Sequence, residues 1–365
     1  MISKKAGLVF LAVLFYLGPC WADFSLAPRY EYISGNGEEL ANRFIIKSKL
    51  NINRSYFGLY VDGFAEFDEN KTEYEFRRSP HRGYLQEAYL EFKRKSIYIR
   101  AGRQALRWSE MWVVPSLDIW TARRWNRMYL DPLSEQLVHP TGISFTYANR
   151  NLSIDLVGIT NLAENSYPVP VPEAVAAGEN ETNLGARAQL DFKGFHFSAI
   201  GAKQEKKYIY GVGANYAFDS AVPKIEFGAR HDTSATPLYE RHQESFAAAG
   251  VDVFVGNWIL TPQVSVFDYG DLRQKSGEPM QIYYASAQWK VEPHDFQAMG
   301  FTNPVNKDYF WSLSYGYNLN RYFTAGGFIQ EYYGENGTLH WLYRQITGEG
   351  IVAGLRIELN TDWAF

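Results

Sequence analysis

Arginine and tryptophan crowd into one short stretch of the chain. Arg100, Arg103, Arg107, Arg123, Arg124 and Arg127 stand there with Trp108, Trp112, Trp120 and Trp125, so four of the ten tryptophans fall within eighteen positions. Guanidinium groups are permanently charged forks that bind carboxylate and phosphate, and rings of charged side chains set the selectivity of pores. Two roles are open for the arginines: lining a constriction, or pinning their own segment through salt bridges to Glu110, Asp118, Asp131 and Glu135. The tryptophans divide in the same way between packing and a slide on which sugar rings stack. Ser116 to Met128 has the signals of a short helix, with Ser116 as N-cap and Asp118 in the first turn.

The segments around this stretch alternate with a period of two. In the last one, Ile351, Ala353, Leu355, Ile357, Leu359, Thr361, Trp363 and Phe365 oppose Val352, Gly354, Arg356, Glu358, Asn360, Asp362 and Ala364. Fifteen alternating residues exceed the usual strand of about 5 to 6 and suit a tilted membrane strand of roughly 9 to 11 with an extension. The same pattern recurs from Phe57 to Phe67, Leu184 to Phe192, Tyr208 to Phe218 and Trp258 to Val266. Each gives a strand with a dry face and a wet face. Tyr, Trp and Phe gather at strand ends, as an interfacial girdle requires.

Connections alternate in length as well. Eight short links, such as Asn53-Arg54, Arg94-Lys95 and Lys193-Gly194, separate nine other links, seven of them longer and more polar, near 34–42, 68–82, 108–138, 162–181, 233–242, 269–279 and 333–349. This predicts eighteen strands, or sixteen if one hairpin is lost, with the weakest near Phe296 to Phe301 and Phe195 to Lys203. The fold class is all-β: a transmembrane, antiparallel, up-and-down β-barrel with short periplasmic turns and longer extracellular loops. Its edges must meet, because an open edge in lipid leaves backbone groups unpaired at several kcal/mol each. The 108–138 region, rich in tryptophan and poor in strand pattern, is expected to fold into the lumen.

Composition agrees. No stretch of about 18 apolar residues exists, as a helical membrane protein would need, and an aromatic content of 16% excludes disorder. The negative mean hydropathy is what a barrel gives when every second residue faces water. Lys4 and Lys5, the apolar run Ala6 to Leu17 and the break at Gly18-Pro19 predict a signal peptide cut after Ala22. Cleavage removes Cys20, the single cysteine, and leaves residues 23–365 as one barrel domain with 34 basic and 40 acidic side chains, net −6. That charge argues against a nucleic-acid partner. Phe365, with Trp363 two residues behind, resembles the C-terminal signal read by the barrel-assembly machinery of the bacterial outer membrane.

Arg100-Ala101-Gly102-Arg103-Gln104-Ala105-Leu106-Arg107-Trp108, followed by Asp118, the Arg pair and Asp131-Pro132-Leu133, resembles outer-membrane porin-like barrels related to alginate-export proteins. The resemblance implies an eighteen-strand channel whose inward loop carries selectivity. Ser109-Glu110 stands where that family has Gly or Asp-Gly.

The expected function is a passive outer-membrane channel for small hydrophilic solutes, anions among them. The alternatives are a specialised carbohydrate or polysaccharide export or uptake channel of the alginate-export type, and a barrel with enzymatic or surface-binding activity at its rim. No phosphate loop, metal-binding His pair or nucleophile elbow is present, so no cofactor, metal or catalytic residue is assigned and the protein is not expected to be an enzyme. Its expected partners are outer-membrane lipid, the assembly machinery and its solutes, with a homo-oligomer left open.

Overall fold

A computed structural model describes residues 21–35, 38–68, 81–111, 117–123, 137–161, 183–205, 207–232, 243–268, 279–304, 307–334, 351–359 and 361–364. The strands are β1 (Trp21–Gly35), β2 (Glu38–Arg54), β3 (Phe57–Asp68), β4 (His81–Arg94), β5 (Ile97–Arg103), β6 (Ala122–Arg123), β7 (Leu137–Val138), β8 (Thr141–Ala148), β9 (Leu152–Asn161) and β10 (Asn183–Phe192). They continue with β11 (Phe195–Gln204), β12 (Lys207–Tyr216), β13 (Ala221–Asp232), β14 (Gln243–Val255), β15 (Trp258–Asp268) and β16 (Met280–Val291). The last are β17 (His294–Asn303), β18 (Asp308–Asn320), β19 (Phe323–Tyr333), β20 (Ile351–Leu359) and β21 (Thr361–Ala364). All but β6 and β7 belong to one sheet in which each strand pairs antiparallel with its neighbours. β20 and β21 lie end to end along β1, so the sheet closes as a barrel of eighteen strands and leaves no edge exposed.

Eight tight turns at one end alternate with nine connections at the other, as the link lengths suggest. Ser55, Lys95, Lys193 and Gly256 take φ of 43°, 52°, 48° and 58°, the left-handed conformation that lets a two-residue turn match the twist of its strands. The link expected at 34–42 shrinks to positions 36–37, because β1 and β2 stay paired out to Gly35 and Glu38. The two weakly patterned strands both form, as β11 and β17.

Register puts alternate rows on opposite faces. Tyr30, Phe44 and Phe67 form one row across β1, β2 and β3, and all three are exposed on the outside. One residue along, Glu31, Arg43 and Arg356 face inward across β1, β2 and β20. Leu355, between Gly354 and Arg356, is 67% exposed. An outer surface this apolar is a lipid face rather than a surface meant for water.

The interior carries two apolar clusters. One joins Val157, Ile159, Ile200, Ile209, Phe246 and Phe267 of the wall to Leu106, Trp108, Leu117 and Trp120 of the segment after β5. The other joins Ile33, Ala41, Phe310, Tyr332 and Val352 on the opposite side. No helix occurs among the described residues, and the one expected at 116–128 does not form over its described part. Leu117 to Thr121 is irregular, and Ala122–Arg123 pairs with Leu137–Val138 as β6 and β7. The cap at Ser116 offers about 1 kcal/mol, less than the burial of Leu117 and Trp120 against the wall yields. Of the expected signal peptide, residues 1–22, positions 1–20 lie outside the described residues, and its last two, Trp21 and Ala22, begin β1 opposite Asn53 and Ile52.

Candidate functional site: the inward loop

β5 ends where a glycine is required. Gly102 takes φ +132°, and a Cβ on it would lie 2.2 Å from the carbonyl oxygen of Ala88. The chain leaves the wall at the next two residues, and both hold its two ends together. The Arg103 guanidinium donates from Nε to the His139 carbonyl at 3.0 Å and lies over the Tyr84 ring. Gln104, buried, donates to the Gly142 carbonyl at 3.3 Å and accepts from Ser144 Oγ at 2.6 Å. Its backbone N–H donates to Pro140 O, and the next N–H, of Ala105, donates to Glu87.

From this neck the loop runs into the lumen and packs on the β9–β12 wall. Trp108 and Trp120 are 2% and 1% exposed and meet edge to face, centroids 5.6 Å apart. Gly185 seats them, since a Cβ on it would come within 2.6 Å of Trp120 and 2.8 Å of Trp108, and Gly211 seats Leu117, which would lie 2.2 Å from its Cβ. Arg187 of β10 donates to the Arg107 carbonyl at 3.1 Å, pairs with Asp155 at 2.7 Å and lies over the Trp108 ring. Gln204 of β11 donates to the Ile119 carbonyl, and Thr121 Oγ1 to the Leu106 carbonyl.

The Ser109-Glu110 pair is held from two sides. Glu226 of β13, fully buried, accepts from Ser109 Oγ at 2.7 and 2.8 Å, from the Glu110 N–H, and from the Met111 N–H at 3.3 Å. The Glu110 carboxylate accepts from Asn215 Nδ2 at 2.9 Å and lies 3.1 Å from His196 Nε2. The other ring nitrogen of His196 lies 2.7 Å from Asp191.

With the loop on the β9–β12 side, the β2–β5 wall is lined by half-exposed aromatic and charged side chains. Tyr60 and Tyr89 stack at 5.1 Å, with Lys49 over the first ring and Arg100 over the second. Lys93 lies over Tyr98 in the same way. Arg100, 40% exposed, donates to Glu91 at 2.7 Å, and Arg107 is exposed where the loop begins. Elsewhere the inward charges brace neighbouring strands, as with Arg29 on Glu31 and Glu358, Arg43 on Glu31 and Glu66, Lys47 on Glu358 and Lys224 on Asp252.

The residues singled out in the sequence therefore separate into three groups. Arg100, Arg103 and Arg107 follow one another along β5 and the neck, while Trp108 and Trp120 are buried in packing against the wall. Trp112, Arg124, Trp125, Arg127 and Phe365, and the side chains of Arg123 and Trp363, lie outside the described residues. Glu226, Gly185 and Gly211 carry the loop without having stood out, and Gln104 stood out only as part of the Arg100–Trp108 element. The one signal for those three is alternation, which sets Gly185 and Gly211 opposite the apolar rows of their strands and Glu226 between the outward Ile225 and Phe227.

No known family profile matches the chain, and no curated protein sequence does. Solved structures match in fold. Acinetobacter baumannii OccAB2 superposes with a TM-score of 0.63 at 12% identity over 96% of this chain and 99% of that one. The outer membrane protein opdK of Pseudomonas aeruginosa gives 0.62 at 11% over 95% and 100%, and OccK2 (OpdF) of the same organism 0.62 at 9% over 96% and 99%. At these identities the likeness is one of fold.

Proposed function

We propose that this chain is an outer-membrane channel of the porin type, which passes small hydrophilic solutes passively through a lumen narrowed by its own loop. The observation that carries this reading is the loop beginning at Gln104. It turns inward, buries Trp108 and Trp120 on one wall and leaves Arg100, Arg103 and Arg107 on the other side. The exposed apolar belt supports a place in the bacterial outer membrane, and an exported precursor with residues 1–22 removed is consistent with it. Lipid and the assembly machinery would be its partners. The reading includes no catalysis.

Selectivity follows from the same residues. Arg103 and Arg107 stand at the neck, where a charge acts most strongly on a passing ion. Reversal potentials across a planar bilayer under a salt gradient test this: Arg103→Gln with Arg107→Gln should shift permeability away from anions, and an unchanged potential contradicts it. A relationship to alginate-export barrels is supported by the Gly102-Arg103-Gln104 element, whose three residues here launch and tie the loop. Competition of ion current by an acidic oligosaccharide is the measurement that separates that reading from a general pore.

A further inference from the structure

Hydrophobic contact alone leaves the loop free to slide along the wall, since apolar packing is non-directional. Arg187, Gln204 and Asn215 each add one directional tie to it, and the densest convergence is at one place. Three consecutive loop residues converge on one carboxylate: Ser109 through its hydroxyl, Glu110 and Met111 through their backbone N–H groups. That carboxylate belongs to Glu226, which is fully buried and sits on a barrel strand 117 positions away from Ser109. Gly213 on the adjacent strand faces the same place: a Cβ there would stand 2.7 Å from Ser198 Oγ and 3.6 Å from both Glu110 and Glu226. Removing the acceptor would leave the Ser109 hydroxyl and two backbone N–H groups without this partner, and each group left unsatisfied carries its own desolvation cost.

We propose that Glu226 is the positioning residue of the constriction: it sets how far Ser109, Glu110 and Met111 project, and so the aperture beside Arg107. Its action is through the loop and not on the solute. The inference deepens the channel reading and rests on it for its functional consequence, while the loop position is measurable without any ion flow.

The experiment places Met111→Cys in a chain lacking Cys20 and follows labelling by a membrane-impermeant maleimide, beside single-channel recordings. Met111 is 5% exposed, so labelling is slow when the loop is held. Glu226→Gln should raise the labelling rate about tenfold or more, the scale expected for losing hydrogen bonds to a charged group, with larger and noisier openings. Ser109→Ala should do the same more weakly, and the double variant should add little to Glu226→Gln. Asp252→Asn, which removes another inward carboxylate that binds Lys224 and Thr261, controls for charge loss and should leave labelling slow. Faster labelling with no conductance in any form supports the clasp and sinks the channel reading. Unchanged labelling in Glu226→Gln overturns the inference. Should that variant fail to form a heat-modifiable barrel, the Ser109→Ala labelling rate decides in its place.

Discussion

Trp120 lies against Gly185 so closely that the glycine has room for nothing more than hydrogen: an added Cβ would stand 2.6 Å from the indole carbon Cζ2. Gly185→Ala therefore puts a methyl group into two buried rings at once, because Trp108 is only 2.8 Å away. Overpacking of this kind costs about 1–3 kcal/mol. The loop, not the sheet, is expected to yield. Single-channel conductance should rise while the far-ultraviolet β signal and the unfolding midpoint of the barrel stay near wild type.

Trp108→Ala should act more strongly. Removing a buried indole costs about 3–5 kcal/mol, and the Arg187 guanidinium loses the ring beneath it. Proteolysis of the folded barrel measures the outcome: cleavage within the loop region should appear in Trp108→Ala and be absent from wild type.

Closure of the barrel supplies a third test. Glu31, fully buried, pairs with Arg29 beside it, Arg43 across β2 and Arg356 across the seam with β20. Taking one partner from a buried ion pair costs about 3–5 kcal/mol, because the remaining charge is uncompensated. Glu31→Gln should lower the temperature at which the barrel opens. Glu358→Gln, on a partly exposed carboxylate of the same seam, should lower it by much less.

The two faces of the sheet separate cleanly. Leu355 points outward from the middle of β20, so Leu355→Lys should cost about 2–4 kcal/mol of folding in bilayers. Ser314→Lys, on an inward row of β18 beside Phe328, should fold normally. Equal penalties at both positions would contradict a lipid-facing belt.

How much of this was legible in the sequence depends on how local its cause is. Alternation over Leu184 to Phe192 or Ile351 to Leu359 is a property of neighbours, and it located strands, faces and the closing count. The helix suggested by Ser116 and Asp118 failed for the opposite reason, since Leu117 and Trp120 answer to a wall contributed by β9 to β12 and not to each other. Strand phase pointed Glu226 into the lumen, yet its partners at Ser109 to Met111 lie more than a hundred positions away and carry no mark of the pairing. The tryptophans were visible as a cluster, yet the seat of Trp108 and Trp120 is Gly185, on a strand more than sixty positions away.

Single-channel conductance of the purified, refolded chain in a planar bilayer, compared with a version in which residues 108–138 are replaced by a short turn, tests the central claim most directly. A steady conductance that increases when the loop is removed is the expected result. No conductance in either form, or the same conductance in both, would contradict a channel narrowed by its inward loop.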